Sequence, residues 1–170
     1  MDRPLLSVAA LAVVALGASL NASQTAAQAV PDDFSITLAR TSCFGPCPVY
    51  SVSIDAKGSV TYEGKKFVRA VGRQTDRIPV SQVARLAEAV NRIRFFDLND
   101  SYRTVRNPDG SEMMVTDLPT TIVTVTSGGR SKQVVDYFGA PESLKELEKQ
   151  IDETAGTKRW VTIDKPRPVS

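Results

Sequence analysis

The clearest structural signal in the sequence is the segment YSVSIDAKGSVTYE, residues 50–63, in which apolar and polar side chains alternate twice. A period of two residues is typical of a strand with one buried face. Between the two alternating runs, residues 55–58 read DAKG and place a glycine where a tight turn requires a positive φ. The segment therefore predicts a β-hairpin. The apolar residues that share its buried face are Tyr50, Val52, Ile54, Val60 and Tyr62.

Further strands are predicted on both sides of this hairpin. Residues 34–38 alternate in the same way, and residues 67–71 follow the hairpin as an additional apolar run. A second hairpin is predicted from the β-branched run at 120–126, the glycine-containing turn at 127–130 and the returning run at 132–138.

Two amphipathic helices complete the predicted fold. The first covers residues 80–94, where apolar residues recur at helical spacing. The second opens at Pro141 and Glu142 and ends at Gly156, a residue that commonly terminates helices. The stripe of this second helix is formed by Leu144, Leu147, Ile151 and Ala155. Residues 102–116 show no periodicity and are predicted to be a loop.

The order strands, helix, strands, helix predicts an α+β fold. We expect one mainly antiparallel sheet, built from two hairpin regions, with the two helices packed on one face.

The N-terminal residues 1–29 are typical of a signal peptide. An apolar run at 5–18 follows Arg3, and the sequence Ala27-Gln28-Ala29 fits the cleavage pattern. As a helix, this run would span about 21 Å, which is shorter than the ~30 Å hydrocarbon core of a bilayer. We therefore expect a periplasmic or extracellular location, with no stable membrane span after processing. Residues 30–156 would form a single domain and residues 157–170 a flexible C-terminal tail.

Composition excludes several classes of function. The formal net charge is only +2, which gives no electrostatic basis for nucleic-acid binding. The chain contains no histidine, so Ser-His-Asp and Cys-His nucleophiles and the usual zinc and haem ligand sets are missing. We predict no cofactor and no metal site.

The only two cysteines, Cys43 and Cys47, flank the sequence Phe-Gly-Pro. Glycine and proline favour a bend that could bring the two sulfur atoms together, and export would expose them to an oxidising compartment. A structural disulfide is the leading interpretation. A redox-active pair is the alternative, although oxidoreductases use the spacing C-x-x-C.

Three motifs resemble those of a bacterial domain of unknown function. They are RTSCFGPCPVY at 40–50, TDLPTT at 116–121 and DYFGAP at 136–141. They occur in the same order as in that family, and the resemblance extends from about residue 34 to residue 155. The family is found in proteins that are predicted to be exported, so the resemblance implies export, but it implies no particular activity.

Seven polar residues within these motifs are candidate ligand-binding residues, and none is assigned a catalytic role. The two ends of the second hairpin that carry Asp117, Asp136 and Tyr137 lie at one end of the sheet, where these side chains could meet an arginine. The structural alternative is an Asx turn at Asp117, an ion pair between Asp136 and Arg40, and packing of Tyr137 on the sheet. The candidates are Arg40, Tyr50, Asp117, Thr120, Thr121, Asp136 and Tyr137.

These observations favour an exported, non-catalytic binding module whose partner is an envelope protein, a glycan or a cell-wall component. An envelope hydrolase or lyase that relies on carboxylates is the first alternative, because two carboxylates and a tyrosine could transfer protons if burial raised a pKa. A thiol redox protein is the second. The sequence does not predict the oligomeric state.

Overall fold

The structure, a computed structural model, describes residues 30–162. It confirms the predicted α+β class with a mainly antiparallel sheet. A short 3-10 turn at Phe95–Asp97 follows the first helix. The strands are β1 (Ser35–Arg40), β2 (Val49–Asp55), β3 (Ser59–Lys66), β4 (Gly72–Arg77), β5 (Ser101–Tyr102), β6 (Thr104–Arg106), β7 (Glu112–Met114), β8 (Thr121–Ser127) and β9 (Arg130–Asp136). The helices are α1 (Val80–Arg92), α2 (Glu142–Ala155) and α3 (Lys158–Val161).

Seven strands form one open sheet in the order β4-β3-β2-β1-β8-β9-β5. All neighbouring pairs are antiparallel except β5 and β9. Strand β1 lies in the middle, between β2 and β8, and both Ile36 and Leu38 are fully buried. Burial of such apolar side chains is the main contribution that offsets the entropy lost on folding.

One face of the sheet carries the core. Ile36 on β1 lies opposite Ile54 on β2 and Val125 on β8, and all three are buried. Helices α1 and α2 pack against each other, and α2 contacts β1 and β2. The buried stripes of both helices join the strand side chains in a single hydrophobic cluster.

The prediction of a strand at residues 67–71 is wrong. These residues connect β3 to β4, and the strand itself starts at Gly72. The chain turns at Phe67, whose φ is 53°, and the amide of Ala70 then donates to the carbonyl of Trp160 (2.8 Å) instead of to a neighbouring strand. The apolar residues that suggested a strand therefore belong to a loop held by the C-terminal part of the domain.

The prediction that residues 102–116 form a loop is also wrong in part. Strands β6 and β7 pair antiparallel in this segment and form a separate two-stranded sheet. Their turn is closed by bonds from the amide of Gly110 to the carbonyl of Asn107 (3.0 Å) and from the amide of Asn107 to the carbonyl of Ser111 (2.8 Å). This hairpin buries no core residue, so its sequence shows no alternation that a periodicity argument could detect.

The folded region continues past residue 156, where the tail is predicted to begin. Helix α3 follows Gly156 directly, and the ring of Trp160 lies 4.9 Å from that of Tyr62. The guanidinium of Arg159 lies over the Trp160 ring and pairs with Asp76. The predicted signal peptide and the last eight residues of the chain lie outside the described residues. Between residues 30 and 162, no helix has the length and apolarity needed to cross a membrane.

Candidate functional site

Four of the predicted site residues lie in one row across the sheet, on the face covered by α2. Arg40 is the register partner of both Tyr50 on β2 and Thr121 on β8, and Thr121 is the partner of Asp136 on β9. Paired residues of adjacent strands point to the same side of a sheet. We call this end of the sheet, where β1 and β9 end and β2 and β8 begin, the loop end.

The Arg40 side chain connects three secondary-structure elements. Its Nε and Nη2 atoms donate to Oδ2 of Asp152 on α2 at 3.2 and 2.8 Å. Nε also donates to the Tyr50 hydroxyl (3.1 Å), and Nη1 donates to Oγ1 of Thr121 (3.0 Å). A guanidinium bound in this way fixes α2 against β1, β2 and β8.

The carboxylate of Asp152 has its acceptor capacity filled. Oδ2 accepts the two bonds from Arg40, and Oδ1 accepts from the Tyr50 hydroxyl and from Oγ1 of Thr157, each at 2.7 Å. A carboxylate offers about four lone-pair sites, so none remains free. Burial, followed by the charge of Asp152, raises the pKa of Tyr50 and keeps its hydroxyl protonated. We use the name Arg40–Asp152 network for the five hydrogen-bonded residues Arg40, Tyr50, Thr121, Asp152 and Thr157.

Glu148 differs from this network because it is buried without a partner. It is only 5% exposed, and its Oε1 atom has no hydrogen-bond partner among the described residues. Burial, followed by the nearby charge of Asp136, raises its pKa to about 7. Burial also raises the pKa of Asp136, while Lys145 and Arg40 oppose that shift. Two carboxyl groups with raised pKa values therefore lie near Arg40, whose charge opposes both shifts.

The predicted ion pair between Arg40 and Asp136 is wrong, because the carboxylate bound to Arg40 belongs to Asp152. The other three candidates, Asp117, Thr120 and Tyr137, lie in the loops at the same end. In the described part of the chain they share no hydrogen bond with the Arg40–Asp152 network.

Those three residues instead hold the loop at 117–120 in place. The carbonyl of Asp117 accepts from the amide of Phe44 (3.2 Å), and Thr120 exchanges bonds with Thr41. The Tyr137 hydroxyl accepts from the amide of Leu118 (3.3 Å). Whether any of the seven candidates binds a ligand stays a prediction.

Sequence reasoning missed Glu148, Asp152 and Thr157. The sequence does contain a signal for Glu148. This residue lies about 40° from Leu144 around the helix axis and therefore falls inside the apolar stripe of α2. A carboxylate at such a position is either paired or protonated. The partner of Asp152, however, is 112 positions away in sequence, and no local pattern connects the two residues.

Cys43 and Cys47 are bonded to each other and close the loop between β1 and β2. The loop is also fixed by bonds from the amide of Phe44 to Asp117 and from the amide of Gly45 to the carbonyl of Cys43 (2.9 Å). The Phe44 side chain projects from the loop and is 89% exposed.

Replacing both cysteines by serine is expected to lower the free energy of unfolding by about 2 kcal/mol, because a disulfide between residues only four positions apart constrains a short loop of the unfolded chain. Denaturant unfolding with and without a reducing agent measures this. Reductant should destabilise the parent protein by the same amount and leave the double variant unchanged. An unchanged parent would contradict the prediction.

A cavity of about 360 Å³ opens beside the Arg40–Asp152 network. It lies where the chain passes from α2 into α3, and Tyr50, Asp152 and Thr157 form its inner wall. Its outer wall consists of Glu153, Gly156, Lys158, Val161 and Thr162. A larger cavity of about 430 Å³ lies near the β8–β9 turn, and its charged lining side chains, Glu88 and Arg130, are exposed.

The acidic residues at the loop end were compared with the side-chain grouping that a metal ion requires. Within residues 30–162, no three Asp, Glu or Cys side chains are grouped so that they could hold a metal ion.

Comparison with known proteins gives a family but no activity. No curated protein matches the chain. The family model that matches is described as a domain of unknown function, DUF6438, and it covers residues 34–155, from the residue before β1 to the end of α2. This span includes Arg40, Tyr50, Glu148 and Asp152, so the whole network except Thr157 lies inside the matched region. The chain therefore belongs to the DUF6438 family of domains of unknown function.

Proposed function

We propose that this domain is an exported, non-catalytic binding module that takes a small polar ligand in the cavity beside the Arg40–Asp152 network. One observation carries the proposal. The cavity is already present in the structure, and the polar side chains of its inner wall are held in place by hydrogen bonds to one another. Ligand cavities are usually preformed, and a volume of about 360 Å³ lies within their ordinary range. The disulfide supports an oxidising, extracytoplasmic location.

The charges at the cavity rim favour a ligand that carries both signs. Glu153 and Lys158 are exposed and lie on the outer wall, on either side of Gly156. The inner carboxylate of Asp152 is neutralised by Arg40. A short peptide carries both an ammonium group and a carboxylate, and peptides are abundant in the bacterial cell wall. A sugar unit of the same size is the alternative ligand.

Binding can be tested by titration calorimetry with a dialanine peptide, with N-acetylglucosamine and with soluble peptidoglycan fragments. In the double variant Glu153→Gln/Lys158→Gln, peptide affinity should fall by roughly fivefold for each charge lost, since an exposed charged contact contributes up to about 1 kcal/mol. Val161→Phe should abolish binding, because the larger ring enters the cavity.

The matched control is Arg106→Gln/Glu112→Gln, which removes an exposed pair on the β6–β7 hairpin. This control should bind like the parent protein. If none of the three probes binds the parent, or if Val161→Phe binds as well as the parent, the proposed ligand site is wrong.

A second candidate function is proton transfer by a carboxylate-dependent hydrolase or lyase. One observation favours it, namely the unpartnered, buried Glu148 with a pKa of about 7 beside Asp136. A group with such a pKa could act as a general acid or base near neutral pH. Binding remains the better-supported function, because Glu148 does not line the cavity beside Asp152. The enzyme hypothesis predicts that Asp136→Asn abolishes turnover of a cell-wall substrate while the melting temperature changes by only a few degrees.

A further inference from the structure

The end of β3, the start of β4 and the connection between them carry a concentration of positive charge. Residues 65–73 contain Lys65, Lys66, Arg69 and Arg73 and no acidic residue, and all four side chains are exposed. Within residues 30–162, Lys65 and Lys66 take part in no ion pair. We call residues 65–73 the basic loop.

The basic loop is anchored to the core and presents apolar side chains to solvent. Val68 is buried in the core, and the amide of Ala70 donates to the carbonyl of Trp160 (2.8 Å). The carbonyl of Ala70 lies so close to Gly64 that no side chain larger than hydrogen would fit there. Phe67 and Val71, on either side of residues 68–70, are 49% and 69% exposed.

Phe67 also has an unfavourable backbone conformation. Its φ of 53° lies in the left-handed region, which bulky side chains rarely adopt. Such strain persists only where the surrounding structure holds it in place, and it clusters at functional sites. A glycine at this position would fit the backbone without strain, yet the chain has an exposed aromatic residue here.

The disulfide loop adjoins the basic loop. Val49, at the start of β2, is the register partner of Lys66, at the end of β3, so the residues before Val49 and after Lys66 leave the sheet side by side. Phe44 is therefore a third outward apolar side chain at the loop end. The three apolar side chains lie on two separate loops, and none of them lines either cavity described above.

We propose that the loop end docks the domain on the surface of an anionic lipid bilayer. Lys65 and Lys66 would contact lipid phosphates, while Phe44, Phe67 and Val71 would enter the headgroup region. Interleaved cations and exposed aromatic or aliphatic side chains are typical of interfacial binding. An acidic protein partner fits less well, because the apolar groups project singly and form no groove. This inference is independent of the cavity ligand.

Vesicle flotation with the exported chain tests the proposal. Phosphatidylcholine vesicles that contain phosphatidylglycerol should bind the protein, and pure phosphatidylcholine vesicles should bind it much more weakly. Lys65→Gln/Lys66→Gln should reduce binding to the anionic vesicles roughly thirtyfold. The control Lys57→Gln/Arg85→Gln removes the same charge at the opposite end of the sheet and on α1, and it should bind like the parent protein.

Phe67→Gly separates docking from folding. This variant relieves the backbone strain, so its melting temperature should equal or exceed that of the parent protein, while its binding to anionic vesicles should fall at least severalfold. Equal losses in the control and loop variants would overturn the proposal, as would unchanged binding by Phe67→Gly. Binding to soluble polyglutamate but not to vesicles would also overturn it and would indicate an acidic polymer as the partner.

Discussion

Asp152→Asn is expected to lower the free energy of unfolding by about 3 kcal/mol, which corresponds to a fall of roughly 10 °C in the melting temperature. The substitution preserves the shape of the side chain but removes its charge. Arg40 then lacks a counter-charge. The amide nitrogen of the asparagine is a donor, and it would face either the Arg40 donors or those of Tyr50 and Thr157, depending on the orientation of the amide. Breaking an ion pair of this kind by removing one partner costs 3–5 kcal/mol when the pair is buried, and the partial burial of this pair places it at the lower limit.

The matched control is Asp97→Asn, which breaks the ion pair between Asp97 and Arg94. That pair has the same 2.8 Å separation, but its side chains are 60% and 80% exposed, so the loss should stay below about 0.5 kcal/mol. Denaturant unfolding of the parent protein and of both variants measures the difference. Equal effects of the two substitutions would mean that the Arg40–Asp152 network adds no stability beyond that of a surface pair.

A double-mutant cycle with Arg40→Met distinguishes a network from independent contacts. If Arg40 and Asp152 act together, the double variant should be little less stable than either single variant, because each single substitution already removes the shared interaction. Additive losses would instead show that the two residues contribute through separate neighbours, such as Thr121 for Arg40 and Thr157 for Asp152.

The sequence predicted those parts of the fold whose signal is local. The hairpin of β2 and β3 was predictable because its buried positions recur every second residue, and α2 because its stripe recurs at helical spacing. The strand β4 was misplaced because its residues, GRQTDR, are polar and lie at the edge of the sheet. Apolar residues in the adjoining loop carried the signal expected of a strand.

The candidate site was predictable only in its strand half. The motif residues Arg40, Tyr50, Thr121 and Asp136 could be selected from the sequence, and the strand register places all four in one row. The two residues on α2, Glu148 and Asp152, could not be selected in this way. Their position at the site depends on how α2 crosses the sheet, and no local sequence pattern specifies that crossing. The structural alternative paired Arg40 with Asp136, whereas the folded chain pairs Arg40 with Asp152.

The loop end contains most of the features that need a functional explanation. The Arg40–Asp152 network, the cavity beside it, the disulfide loop and the basic loop all lie there. The opposite end contains tight turns such as the one at 55–58, where Asp55 accepts bonds from the amides of Lys57 and Ser59. If both proposals hold, a ligand in the cavity would be bound close to a membrane surface, since α3 lines the cavity and also holds the basic loop.

The largest pH-dependent effect is expected from Glu148→Gln. The pKa of Glu148 is raised from 4.5 to about 7 in the folded protein, so the folded state holds a proton that the unfolded state releases in this interval. The stability that this proton provides is fully present below pH 4.5 and is lost as the pH rises through about 7. At 1.36 kcal/mol per pKa unit, the loss is about 3 kcal/mol.

Glutamine has the shape of protonated glutamate and does not titrate. Glu148→Gln should therefore match the parent protein near pH 4.5 and exceed its stability by about 3 kcal/mol near pH 8. The carboxyl groups with lowered pKa values, such as Asp33 and Asp55, contribute stability that is lost only as the pH falls below 3.8. They lie outside this pH window, so they do not obscure the effect.

Urea unfolding at several pH values between these limits measures the difference between the two proteins. Glu146→Gln, an exposed substitution on the same helix, is the control and should show no pH-dependent difference. Asp136→Asn removes the negative charge that is the second cause of the raised pKa of Glu148. The pH range in which stability is lost should therefore move to lower pH. It should not disappear, because burial, the first cause, remains. A difference between Glu148→Gln and the parent that stays constant with pH would mean that Glu148 is ionised in the folded protein, with a partner or a hydration shell that compensates its charge.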